Sequence, residues 1–125
     1  LKTVQDQYNI SEPLSEPSIS LIDIDLAKIF HRDSTLFVDA RGLEYLFEGY
    51  IPGAIANDNV DSLAEKISTK IGFNEKFVIY CSDDDCGSSE DLAYELQSFG
   101  FKNIFVFKGG WKSWVEAGLS VSYYE

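Results

Sequence analysis

Lys76 to Phe99, KFVIYCSDDDCGSSEDLAYELQSF, constrains the fold more than any other stretch of the chain. The apolar run Phe77-Val78-Ile79-Tyr80 stops at Cys81. After a short polar loop, apolar residues recur at Leu92, Ala93, Leu96 and Phe99, which is helical spacing. Strand, loop and helix in that order put Cys81 just past the carboxyl end of a buried strand. The helix then aims its unsatisfied N–H groups back into the loop, where open α/β sheets hold ligands and where an anion is stabilised.

The remaining segments repeat the alternation. Ser18 to Leu21 reads as a strand, and Ile22, Leu26, Ile29 and Phe30 form the stripe of a helix ending near His31 and Arg32. LFVDA at 36–40 has the character of a central parallel strand. Leu43 to Phe47 makes one or two helical turns, Pro52-Gly53 a turn, and Ala54-Ile55-Ala56 a short strand. Asp58 or Asn59 caps a helix through Lys70 with Val60, Leu63, Ala64, Ile67 and Ile71 inward, closed by Gly72. Gly100 ends the helix after the cysteine loop, and Ile104 to Phe107 is a further strand. Lys108-Gly109-Gly110 then turns into a helix carrying Trp111, Trp114 and Val115, ended by Gly118; Trp111, Trp114, Phe105 and Phe107 are expected in the core. Residues 1–17, polar and aperiodic with Pro13 and Pro17, are expected as an extended lead-in, and 18–125 as the domain. Strands alternating with helices of about 10 residues predict an α/β fold with a parallel sheet between helices.

A chain of 125 residues, 45% hydrophobic with nine Phe and seven Tyr, suffices for one core. Its 10 basic and 21 acidic residues give a formal charge of -11, which repels phosphate backbones and anionic lipid surfaces, so neither nucleic acid nor membrane contact is expected. No apolar run approaches the roughly 20 residues of a membrane span, and no signal-peptide pattern opens the chain. A soluble protein is expected, the cytoplasm being favoured. Because the sequence starts at Leu1, it reads as a possible piece of a longer protein, so periplasmic or membrane-tethered settings stay open. Cys81 and Cys86 are too few for a disulfide framework and lack the partners of a zinc site; they are either a redox-active pair or simply two thiols. Asp83-Asp84-Asp85 falls short of the six or more oxygens a hard cation needs, so neither metal nor cofactor is expected.

Three stretches together resemble the rhodanese domain, the sulfurtransferase fold shared with dual-specificity phosphatases of the cell-cycle type. FVDARGLEYLFEGYIPGAI is similar to the family's D-x-R … E-[FY] … G-H-I-P-G-A signature, VIYCSDDDCGSS takes the place of its active-site loop, and GFKNIFVFKGGWKSWVEAG matches its closing segment. The likeness runs from Ser18 to Val121. It implies an open five-stranded parallel sheet flanked by helices, and a nucleophilic Cys81 that carries sulfane sulfur as a persulfide. By the same resemblance Ser82, Asp83, Asp84, Asp85, Cys86, Gly87 and Ser88 form the substrate loop, with backbone N–H groups facing the sulfur. Asp39, Arg41 and Glu44 fall on the signature's charged positions. They are expected as an ion-pair group bracing the strand end, with a direct substrate contact for Arg41 as the alternative. The chain departs from the family where an arginine often follows the cysteine, since those positions hold Cys86 and Gly87, and where Tyr50 replaces a commoner histidine.

A thiol reacts as thiolate, and a free cysteine titrates at about 8.5, so helix amides must favour the anion while the three aspartates oppose it. The acid run disfavours dianionic thiosulfate as physiological donor. The expected activity is therefore sulfur transfer from a small-molecule or protein persulfide donor through Cys81 to a thiol acceptor. Cys86 is either a resolving cysteine, attacking the persulfide or forming a reversible disulfide, or a residue that fills the loop. A catalytically silent regulatory or interaction module is the alternative from another class. Phosphatase chemistry is opposed because Gly87 stands where its arginine is needed. His31, the sole histidine, is assigned no role, which removes a Cys-His arrangement.

Overall fold

A computed structural model describes residues 1–4 and 16–123. Its centre is β5 (Phe77–Tyr80), four consecutive residues buried on both faces. On either side run β3 (Leu36–Asp39) and β6 (Asn103–Phe107), and the sheet extends outward to β4 (Ile55–Ala56) on one edge and to β2 (Ser18–Ile22) and β1 (Lys2–Val4) on the other. The order is β1-β2-β6-β5-β3-β4, and every pairing is parallel. A parallel sheet of this kind requires helical crossovers, which explains the alternating sequence pattern. Among the described residues the sheet has six strands where five were expected. The addition is β1, whose Thr3 pairs with Leu21; residues 5–15 of the expected lead-in lie outside the described residues.

Among the described residues, four α-helices cover the two faces. α2 (Val60–Ile71) and α3 (Ser88–Ser98) place Leu63, Ala64, Ile67, Leu92, Ala93 and Leu96 against Val38, Phe77, Ile79, Ile104 and Val106. On the opposite face, α1 (Ile24–Arg32) and α4 (Gly110–Glu116) bring Leu26, Ala27, Phe30 and Trp114 onto Phe37, Val78, Tyr80, Phe105 and Phe107. The alternation of strand residues between the two clusters is the period of two that a pleated strand imposes.

Local chemistry fixes the ends. Asp23 accepts the Leu26 N–H at 2.9 Å to start α1, and of the two expected caps for α2 it is Asn59 that accepts the Ser62 N–H, at 3.0 Å. Leu43–Glu48 forms a 3-10 turn. His31, placed by sequence at the end of a surface helix, is half-buried instead: its Nε2 lies 2.8 Å from the Pro52 carbonyl oxygen, and its ring meets Phe37 and Trp114 edge-on. Among the described residues, no helix is long and apolar enough to cross a membrane.

Candidate active site

β5 ends at Tyr80, so Cys81 stands at the carboxyl edge of the central strand, 4% exposed. Its sulfur is joined to that of Cys86 in a disulfide, with the two Cα atoms 6.2 Å apart. The loop between them is folded by Asp83. The Asp83 carboxylate accepts the Asp85 N–H at 3.0 Å, and its carbonyl accepts the Cys86 N–H at 3.1 Å, a side-chain turn with a backbone turn over it. This turn carries Cys86 back to Cys81. It also corrects one expectation: the amides of Asp85 and Cys86 are committed to the loop's own oxygens and do not face the sulfur.

The head of α3 supplies donors in their place. Gly87 is its N-cap residue, no side chain caps it, and the first helical bond runs from the Asp91 N–H to the Gly87 carbonyl at 3.0 Å. The N–H groups of Ser88, Ser89 and Glu90 therefore have no partner within the helix. Ser88 is exposed, while Ser89, which sequence reasoning passed over, is 1% exposed. Asp84 and Asp85 are exposed and Asp83 half-buried. With Gly109, Lys112, Ser113 and Glu116 the three aspartates line a cavity of about 340 Å³ of strongly acidic character. Lys108 pairs with Glu90 at 2.9 Å.

From below, the loop is held by α4. The Trp111 N–H donates to the Cys81 carbonyl and the Lys112 N–H to the Ser82 carbonyl, both at 2.9 Å. So close an approach requires Gly110, whose φ of +60° is left-handed and at which a Cβ would strike the Cys81 carbonyl oxygen. In sequence Gly110 reads only as part of a turn.

Beside the strand ends, Arg41 and Asp39 form a buried pair, each side chain 1% exposed. The guanidinium donates to both Asp39 oxygens, at 2.8 to 3.2 Å, and to the Gly49 carbonyl at 2.7 Å. It lies over the Trp111 ring, 5.0 Å from its centroid, and near those of Tyr45 and Tyr80. Burial alone would lower the Arg41 pKa; the hydrogen bonds and charge of Asp39 outweigh it and hold it above the ordinary value. Glu44 is not the expected third member. It is exposed on the 3-10 turn, its carboxylate lying over Gly42, and among the described residues it makes no ion pair. The third member is Tyr80, whose hydroxyl donates to Asp39 at 2.8 Å and accepts the Ile51 N–H at 3.1 Å. A tyrosine ending an otherwise apolar buried strand is the available sequence signal, because its hydroxyl needs a partner. Trp111, expected in the core, is half-buried over Arg41, whereas Trp114 is in the core.

Burial, and then the Asp39 charge, push the Tyr80 pKa far above its usual value of about 10. A raised pKa favours the protonated hydroxyl in the folded state. This contribution is complete below the unfolded value and is lost as pH rises above it. The stability of wild type to urea is therefore expected to fall more steeply above about pH 10 than that of Tyr80→Phe; parallel pH profiles would contradict the assignment.

The model of the rhodanese-like domain matches residues 14–117. The chain belongs to the rhodanese-like domain family. Solved structures share the rhodanese-like fold at low identity. A Bacillus halodurans protein superposes with a TM-score of 0.68 at 22% identity, covering 87% of this chain and 77% of its own. A rhodanese-like domain from Anabaena gives 0.67 at 20%, covering 89% and 81%. The thiosulfate sulfurtransferase from Pseudomonas aeruginosa gives 0.69 at 15%, covering 88% of this chain and 21% of its own. No curated protein matches the sequence. Within the rhodanese-like frame, Cys81 opens the loop that joins the central strand to α3.

Proposed function

We propose that this rhodanese-like domain is a sulfurtransferase that carries sulfane sulfur as a persulfide on Cys81 and passes it to a thiol acceptor. The observation that carries the reading is the position of Cys81, at the end of β5 and bonded to a residue that immediately precedes the uncapped head of α3. Unpartnered amides and the positive end of a helix favour an anion at that place. The opposing carboxylates of Asp84 and Asp85 stand in solvent, where screening weakens their effect. Entry into the cycle requires reduction of the disulfide. Cys86 is the more exposed of the two residues, so an external dithiol attacks there, Cys81 leaves as thiolate, and the second thiol of the dithiol then frees Cys86. The acidic cavity and the charge of -11 favour a neutral or protein-bound persulfide as donor over a dianion.

Cyanolysis tests this reading. Cys86→Ser, reduced, loaded from a persulfide donor and treated with cyanide, yields thiocyanate in proportion to protein, and Cys81→Ser yields none. Equal loading of Cys81→Ser would remove the proposal, and absence of loading in both would favour the silent interaction module.

A further inference from the structure

We infer that, when no acceptor thiol takes the sulfur, Cys86 discharges the Cys81 persulfide within the loop, so that the domain releases hydrogen sulfide and is left with the Cys81–Cys86 disulfide. The inference rests on the persulfide reading above and goes beyond it by assigning a second reaction and a product.

The two cysteines are within bonding reach without rearrangement of the elements around them. Cys81 is fixed by β5 and by the bond from Trp111, and Cys86 by the turn built on Asp83. A thiol so placed attacks as a neighbouring group, and closing a loop this short costs far less than recruiting a second molecule. The Cys86 sulfur, as thiolate, attacks the inner sulfur of the Cys81 persulfide. The Cys81–Cys86 bond forms, the persulfide S–S bond breaks, and the outer sulfur leaves with the electron pair as hydrosulfide, taking up the proton that Cys86 gave. The two thiols lose two electrons and the sulfane sulfur gains them. Return to the dithiol state requires an external dithiol, which attacks Cys86 and leaves as its own disulfide.

Charge favours the same course. A persulfide on Cys81 is an anion in the same short loop as Asp83, Asp84 and Asp85, and like charges, weakened by solvent at the exposed Asp84 and Asp85, disfavour keeping it there. Expulsion of hydrosulfide leaves a neutral disulfide. The residue at 86 thereby acquires a role in a loop where the arginine common in the resembling family is missing.

A single-turnover experiment tests the inference. Wild type and Cys86→Ser are reduced, freed of reductant, and mixed with one equivalent of glutathione persulfide; sulfide is followed by electrode and the protein by intact mass. Wild type is expected to release sulfide in proportion to protein and to finish two hydrogens lighter than its reduced form. Cys86→Ser is expected to retain the added sulfur and to release sulfide at least roughly tenfold more slowly. Cys86→Ala should behave as Cys86→Ser. Retention of the added sulfur by wild type beside a free Cys86 thiol would overturn the inference while leaving the sulfurtransferase reading intact. So would sulfide release from Cys86→Ser at the wild-type rate. No uptake of sulfur by Cys86→Ser or Cys86→Ala would overturn both.

Discussion

Arg41→Ala is expected to destabilise the domain by about 3–5 kcal/mol, the cost of stranding one member of a buried ion pair. The removed guanidinium satisfies Asp39, which is 1% exposed, and the Gly49 carbonyl, and fills the space between Trp111, Tyr45 and Tyr80. With it gone, the Asp39 carboxylate keeps, among the described residues, the Tyr80 hydroxyl and the backbone N–H of residue 41 as donors. Arg41→Lys should recover only part of the loss, because an ammonium cannot serve the carboxylate side-on and the Gly49 carbonyl together. In a double-mutant cycle, Asp39→Asn combined with Arg41→Ala should cost less than the two single changes summed. Urea unfolding measures all four variants. A loss under about 1 kcal/mol for Arg41→Ala would mean the pair is no brace.

Gly110→Ala is expected to cost about 2–4 kcal/mol, joining a left-handed residue with a side chain to a broken hydrogen bond. The new methyl would meet the Cys81 carbonyl oxygen, so α4 must back away and the bonds from Trp111 and Lys112 to residues 81 and 82 lengthen. The functional consequence exceeds the loss of stability, since those bonds hold the nucleophile's own backbone. Sulfur loading should fall in folded Gly110→Ala, measured well below its melting point. Loading at the wild-type level would show that α4 supports the fold without positioning the cysteine. Gly109→Ala would act differently: its φ of -60° is ordinary, but a Cβ there would fall 2.7 Å from the Ser113 Cβ, so the first turn of α4 must shift without a left-handed residue being strained.

Why some of this was legible in the sequence and some was not follows from the range of the interactions. β5, α3 and their loop announce themselves through a change of period within a few residues, and the cap of α2 is local chemistry. β1 is three residues long and owes its structure to pairing with β2, the next strand, rather than to a pattern of its own, so no local period reports it. Glu44 falls at a signature position, yet the 3-10 turn directs it to solvent, whereas Tyr80 reaches Asp39 from the neighbouring strand. The pairing of Cys86 with Cys81 depends on how Asp83 folds the loop, and the requirement for glycine at 110 on how α4 approaches β5. Each is a matter of three-dimensional contact that spacing alone leaves open.

Mass mapping of the loaded protein bears most directly on the claim that a sulfur anion is held at the end of β5. Reduced Cys86→Ser is exposed to a persulfide donor, digested without reductant, and its cysteine peptide weighed. One added sulfur on the peptide bearing Cys81, absent from the corresponding peptide of Cys81→Ser, is the predicted result. A Cys81 peptide that gains nothing, or a Cys81→Ser protein that gains as much on Cys86, would contradict it.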